Sequence, residues 1–119
     1  MLKKVVPTVF YSDVDVGIDL FVNTLGFEVV HREDADQIFV ILNRDGVEIH
    51  LIQNAEYAEK DRPQLRLETD DIESLFDEVE SKNIDLLHPK LAKVTKRPWG
   101  CSEFALLDQT LVCIVVYQW

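Results

Sequence analysis

The chain has 119 residues, 47% of them hydrophobic, which suits one packed domain and excludes an intrinsically disordered segment. A domain of this size buries well over half of the surface its unfolded chain exposes, so folding requires neither disulfide nor metal. Twelve Lys and Arg against 22 Asp and Glu leave a formal net charge of −10, a field that repels nucleic acid and anionic membrane and favours cationic small molecules or basic partners.

The opening Met1-Leu2-Lys3-Lys4-Val5-Val6-Pro7 has no apolar run of signal-peptide length, and no later segment approaches a membrane span. The expected location is cytoplasmic. Residues 4–11 are rich in β-branched and aromatic side chains and predict a strand, with Pro7 marking an edge or an exchange between subunits. Asp13 caps a helix carrying Val14, Ile18, Phe21, Val22 and Leu25 on one face; Gly26 ends it and Phe27 supplies the closing contact. Strands follow at 27–32, 37–43 and 47–53. The Asp45-Gly46 pair between the last two is a strong hairpin signal.

Residues 55–63 read as a polar connection, and 64–69 as an alternating strand with Leu65 and Leu67 inward. Asp70 and Glu73 have capping-box spacing before a helix that aligns Ile72, Leu75, Phe76 and Val79. Asn83 and Ile84 end it. Residues 85–100 hold one short strand near 91–95, and 102–107 with 111–118 form a final hairpin. On that hairpin Cys101 and Cys113 lie several residues out of register, too far apart to bridge at about 3.3 Å per residue, and both read as reduced thiols.

The second half repeats the first. Pairing the helices matches Asp13 with Asp70, Ile18 with Leu75, Val22 with Val79 and Gly26 with Asn83. A slightly larger shift pairs the hairpins: Phe39 with Phe104, Ile41 with Leu106, Val47 with Val112, Ile49 with Ile114, Leu51 with Val116 and Gln53 with Gln118. Matching caps, element order and both hairpins argue for duplication of a βαβββ unit, 1–54 and 64–119, within a single domain of 1–119.

Three stretches carry a family resemblance. Asp13-Val14 with Leu25-Gly26-Phe27 resembles the first-helix signature of the vicinal-oxygen-chelate superfamily of glyoxalases, bleomycin-resistance proteins and dioxygenases. Residues 45–51, Asp-Gly-Val-Glu-Ile-His-Leu, are similar to its fourth strand. Pro98-Trp99-Gly100 followed by Glu103-Phe104-Ala105-Leu106 and Asp108 resembles the bleomycin-resistance proteins in particular. The resemblance implies an α+β fold of two tandem βαβββ modules forming a cup-shaped mixed sheet, completed in a homodimer in which the first strand is sometimes swapped. The family usually has Asp-Pro-x-Gly before its last strand, where this chain reads Asp108-Gln109-Thr110-Leu111. Without Pro and Gly a looser or differently shaped turn is expected.

The resemblance places the superfamily's metal ligands at Val6, His50, Gln64 and Val115. Valine has no lone pair and glutamine is a weak ligand, whereas such sites want three or more imidazole or carboxylate donors. His50 with Glu48, two residues away on the same strand face, is the one candidate pair. No cofactor is therefore expected, the alternative being a divalent metal ion in a lyase or dioxygenase. His31 and His88 read as surface residues. No nucleophile elbow is present, and four glycines build no phosphate loop.

Alternation then names what the cup presents. Thr8 and Phe10 join Val6; Glu48 and Ile52 flank His50; Arg66 and Glu68 follow Gln64; Cys113 and Tyr117 flank Val115. Trp99 matches the tryptophan lining the drug groove of bleomycin-binding proteins, the plain alternative being a loop residue pinned to the core. The expected function is metal-free sequestration of a small organic ligand, a bleomycin-type antibiotic foremost, or a binding module for another metabolite. Lys90, Lys93, Lys96 and Arg97 are either a solvated loop or a lid for an anionic ligand. The expected partners are the ligand and a second copy, with neither nucleic acid nor membrane.

Overall fold

Alternation along the strands decides which face of each sheet is buried. In a computed structural model describing residues 1–119, the chain folds as two units, Met1–Asp61 and Arg62–Trp119. The first unit holds β1 (Thr8–Tyr11), α1 (Val14–Ile18) continued by π-helical turns (Asp19–Thr24), β2 (Glu28–Asp34), β3 (Ile38–Arg44), β4 (Val47–Gln53) and α2 (Ala55–Lys60). Its sheet order is β1-β4-β3-β2, with β1 parallel to β4 and the other pairs antiparallel. The second unit holds β5 (Gln64–Glu68), α3 (Ile72–Lys82), a 3₁₀ turn (Ile84–Leu86), β6 (Thr95–Lys96), β7 (Ser102–Leu107) and β8 (Cys113–Gln118). Its order, β5-β8-β7-β6, repeats the first, again with only the outermost crossover pair parallel. The fold is α+β, with two open four-stranded mixed sheets. No helix is long and apolar enough to cross a membrane.

In the first unit Val9, Tyr11, Val40, Leu42, Ile49 and Leu51 are fully buried with Val14, Leu20 and Phe21 of the helix. In the second, Phe104, Leu106, Ile114 and Val116 are buried with Ile72, Phe76 and Val79, and Phe76 meets Phe104 edge-on at 5.2 Å. Each such side chain contributes roughly 1.5–3 kcal/mol of burial. The matched glutamines have the same task in both units. Gln53 Oε1 accepts the Val14 N–H (3.0 Å) and Gln118 Oε1 accepts the Ile72 N–H (2.8 Å), so the last strand of each unit satisfies an orphan donor at the start of its own helix.

Several sequence expectations move. The second helix is capped by Asp71, whose Oδ1 accepts the Ser74 N–H at 3.1 Å, and not by Asp70. The helix pairing therefore slips one residue: Asp13 matches Asp71, and buried Phe21 matches Val79 in place of half-buried Val22. Phe39 does not match Phe104. Val40 and Leu42 are the buried counterparts of Phe104 and Leu106, which leaves Phe39 and Glu103 on the opposite faces. A one-residue slip in a strand exchanges its faces, so the corrected pairing turns Glu103 away from the helix-covered side.

The first strand starts at Thr8 instead of residue 4; Pro7 lacks an N–H and contributes only its carbonyl, to His50 N at 3.0 Å. Residues 55–60 are helical, because Asn54 Oδ1 caps Tyr57 N at 3.1 Å. The short strand falls at Thr95–Lys96, while residues 88–91 form a turn against β7 in which Ala105 bonds both His88 and Leu91. Cys101 and Cys113 are free thiols.

The turn before β8 is tight and not looser, which leaves the differently shaped turn of the two expectations. Buried Asp108 accepts from Thr110 N (2.8 Å), Thr110 Oγ1 (2.7 Å) and Val112 N (3.1 Å), and Arg62 donates to the Thr110 carbonyl at 3.0 Å. This carboxylate holds Leu111 at φ +74, the left-handed conformation that a glycine takes without steric cost. Leu111→Gly is expected to stabilise the protein by about 1 kcal/mol. A lowered urea midpoint for that variant would refute this account.

Candidate ligand groove in the second unit

In the first unit, the strand residues expected to bind ligand share the sheet face opposite the core. Thr8 pairs with His50 and Phe10 with Ile52 across the parallel seam. His50 stands edge-on to Phe39 at 5.2 Å, and Phe10 edge-on to Tyr57 at 5.1 Å. Glu48 is already engaged: one oxygen pairs with Lys4 Nζ, and the other lies 2.6 Å from His50 Nε2. The Lys4 hydrogen bond, then that of His50, hold its carboxyl below the ordinary range. His31, which showed no carboxylate partner in sequence, has one in Glu33, 3.0 Å from its Nε2 on the exposed face of β2.

The second unit contains a groove of about 760 Å³, within the size range of small-molecule sites. Val115 and Cys113 of β8, Ala105 and Glu103 of β7, and Gln64 and Arg66 of β5 form its strand walls. The 88–91 turn adds His88, Lys90 and Leu91, and the loop before β7 adds Arg97 and Trp99. His88, expected at the surface, is thus a groove residue; its Nδ1 accepts the Lys90 N–H at 3.0 Å. Burial raises the Cys113 thiol, which favours a neutral, apolar wall over a thiolate nucleophile. Tyr117 lies beneath Arg66. Glu68 shares its strand face but does not line the groove.

Glu103 organises this groove. Its side chain is only 4% exposed, yet it bears a charge, so it must be compensated. Arg66 Nη2 donates to Oε2 at 2.6 Å, and Arg97 Nε lies 3.1 Å from Oε1. Burial acts to raise the Glu103 carboxyl, but the Arg66 hydrogen bond and charge, the Cys101 thiol and the Arg97 charge together hold it below the ordinary range. The Arg66 guanidinium lies over the Tyr117 ring at 4.8 Å and that of Arg97 over Trp99 at 5.0 Å. Both cations are thereby fixed between a carboxylate and an aromatic face. Trp99 itself remains 57% exposed. Lys90 and Arg97 of the basic segment reach the groove, whereas Lys93 and Lys96 do not line it.

The model of the Glyoxalase/Bleomycin resistance protein/Dioxygenase superfamily matches residues 4–110. The chain belongs to this superfamily. Among solved structures, a bleomycin-binding protein complexed with bleomycin superposes with a TM-score of 0.77 at 20% identity, covering 98% of both chains. A superfamily member from Sphaerobacter thermophilus gives 0.72 at 22% identity over 99% of this chain and 98% of that one. TioX from Micromonospora sp. ML1 gives 0.72 at 18% over 98% and 96%. At these identities the likeness establishes the fold. No curated protein matches the chain.

Membership raises the question of a metal, and the donor set answers poorly. Of Val6, His50, Gln64 and Val115, only His50 is a strong ligand, and its Nε2 is bonded to a carboxylate that Lys4 also holds. No three His, Cys, Asp or Glu side chains converge as metal ligands do. These residues do not fit a divalent ion.

Proposed function

We propose that this superfamily member is a metal-independent binding protein that sequesters a small organic molecule in the groove of its second unit. The observation that carries the reading is Trp99, half exposed at a groove of suitable volume, where a planar ligand can stack on its free face. Bleomycin-type antibiotics are the first ligands to test, given the family resemblance and the −10 charge that attracts cationic drugs from a distance. Thr8, Phe10, Glu48 and His50 form a second candidate ligand-contacting face, on the first unit by itself. Pairing of two copies belongs to the same reading and is supported by the exposure of Leu2 and Val5 beside Pro7; light scattering of the purified protein tests it.

Titration with bleomycin, followed by Trp99 fluorescence in a Trp119→Phe background, should give a saturable change at micromolar drug, and Trp99→Ala should remove the binding heat measured by calorimetry. No saturable change would count against the drug. Elemental analysis tests the competing divalent-metal lyase or dioxygenase. Stoichiometric zinc, nickel, manganese or iron in the purified protein would overturn the metal-independent reading.

A further inference from the structure

We infer that the groove of the second unit receives an anionic ligand, a carboxylate carried on a planar ring system, between the guanidinium groups of Arg66 and Arg97. The inference rests on the binding reading above, sequestration in this groove, and gives the ligand the charge opposite to that of the cationic drugs named there first.

Four observations converge on it. Arg66, Arg97 and Lys90 bring three formal positive charges to the groove, and Glu103 supplies one negative charge. One carboxylate leaves a surplus of positive charge in a chain whose net charge is −10. Solubility does not require such a concentration of cations in a concavity. Second, both guanidiniums are pre-oriented, by Glu103 on one side and by Tyr117 or Trp99 on the other, so an incoming anion orders little that is not already ordered. Third, the buried Nε of Arg97 makes no hydrogen bond: it sits 3.1 Å from Glu103 Oε1 as an ion pair, but its N–H is not aligned on an acceptor. Glu103 thus holds Arg97 by charge without taking up its donors, which leaves the guanidinium donor capacity for a further acceptor. Fourth, the planar guanidinium fork matches a carboxylate, while the neighbouring Trp99 offers a stacking surface for the ring that bears it.

Glu103 gives the inference a sign that separates it from the cationic-drug reading. If the ligand is an anion, Glu103 competes with it for the two arginines, and Glu103→Gln should tighten binding several-fold. If the ligand is a cation, Glu103 attracts it and the same substitution should weaken binding.

The experiment uses three ligands of one shape, naphthoate, naphthamide and naphthylmethylammonium, with bleomycin beside them, measured by calorimetry and Trp99 fluorescence on the full chain. Naphthoate is expected to bind at least about tenfold more tightly than naphthamide, with the ammonium weakest. Arg97→Gln should abolish the preference for naphthoate. It also keeps the test decisive if Glu103→Gln fails to fold. Equal binding of naphthoate and naphthamide would overturn the anionic inference and leave the binding reading intact. Preference for the ammonium or for bleomycin, weakened by Glu103→Gln, would also overturn it, in favour of a cationic ligand. Binding of none of the four would defeat the binding reading and the inference with it.

Discussion

Glu103→Ala is expected to destabilise the protein by about 2–3 kcal/mol at neutral pH, below the roughly 3–5 kcal/mol typical of removing one partner of a fully buried ion pair. The discount reflects Arg66, whose side chain is 45% exposed and recovers solvation once unpaired. Arg97 recovers less, because its Nε stays buried. The pair also predicts an acid dependence. Folding holds the Glu103 carboxyl below its ordinary value of 4.5. The associated stability is thus fully present above that value and is lost as pH falls through the lower, folded-state value. Urea midpoints measured from pH 7 down to pH 3 should fall more for the native chain than for Glu103→Gln, which has no proton to take up. Parallel falls for the two proteins would show that Glu103 is not the linked group.

The fold was legible wherever a local signal and its tertiary use coincide. The β-strand alternation that puts Val9, Ile49, Leu51, Ile114 and Val116 inward needs no knowledge of partners, and the structure buries all five. The terminal glutamines align in the sequence and cap equivalent helices in space. Register was less legible. Apolar residues stand on both faces of β3, since Phe39 packs against His50 on the open face while Val40 and Leu42 enter the core. Matching apolar letters therefore paired Phe39 with Phe104. The Asp70-Asp71 doublet offers two caps in succession, and only the geometry at Ser74 N selects between them. Helicity over 55–60 was hidden because Asn54 is an ordinary loop residue until its side chain turns onto Tyr57 N.

The site divides in the same way. Arg66, Val115 and Trp99 were named from strand parity and a motif, and all three line the groove. Alternation named the cup faces of β1, β4, β5 and β8 only, so Glu103 of β7 stood within the motif without a role. With Phe104 and Leu106 buried under the helix, Glu103 and Ala105 must face the other way. A charged residue on that face demands a cation. His88 and Lys90 carry no periodic signal; the backbone bonds from Ala105 to His88 and Leu91 bring them to the groove. Contacts of this kind link distant segments through main-chain atoms and leave no mark in side-chain identity.

Gly17→Ala is expected to destabilise the fold by about 2 kcal/mol, against the gain of roughly 1 kcal/mol that alanine normally brings to a helix interior. A Cβ at this position would lie 2.5 Å from Tyr11 Cε2 and 2.9 Å from Leu51 Cδ1. Both neighbours are fully buried in the β1–β4 seam and have no free space to retreat into. The missing side chain thus lets α1 lie directly on the two strands whose other face carries Thr8, Phe10 and His50. Just beyond it the helix widens into π-helical turns, with the Leu25 N–H bonded to the Leu20 carbonyl at 3.0 Å, which carries Leu20, Phe21 and Thr24 onto the buried side and leaves Ile18 half exposed. If the clash with the tyrosine ring is the cause, Tyr11→Leu should remove part of the penalty. Gly17→Ala would then cost less in that background than in the native chain, a coupling read from the four urea midpoints. Simple addition of the two effects would place the strain elsewhere, and a native-like or raised midpoint for Gly17→Ala would mean that the helix can lift from the sheet at no cost.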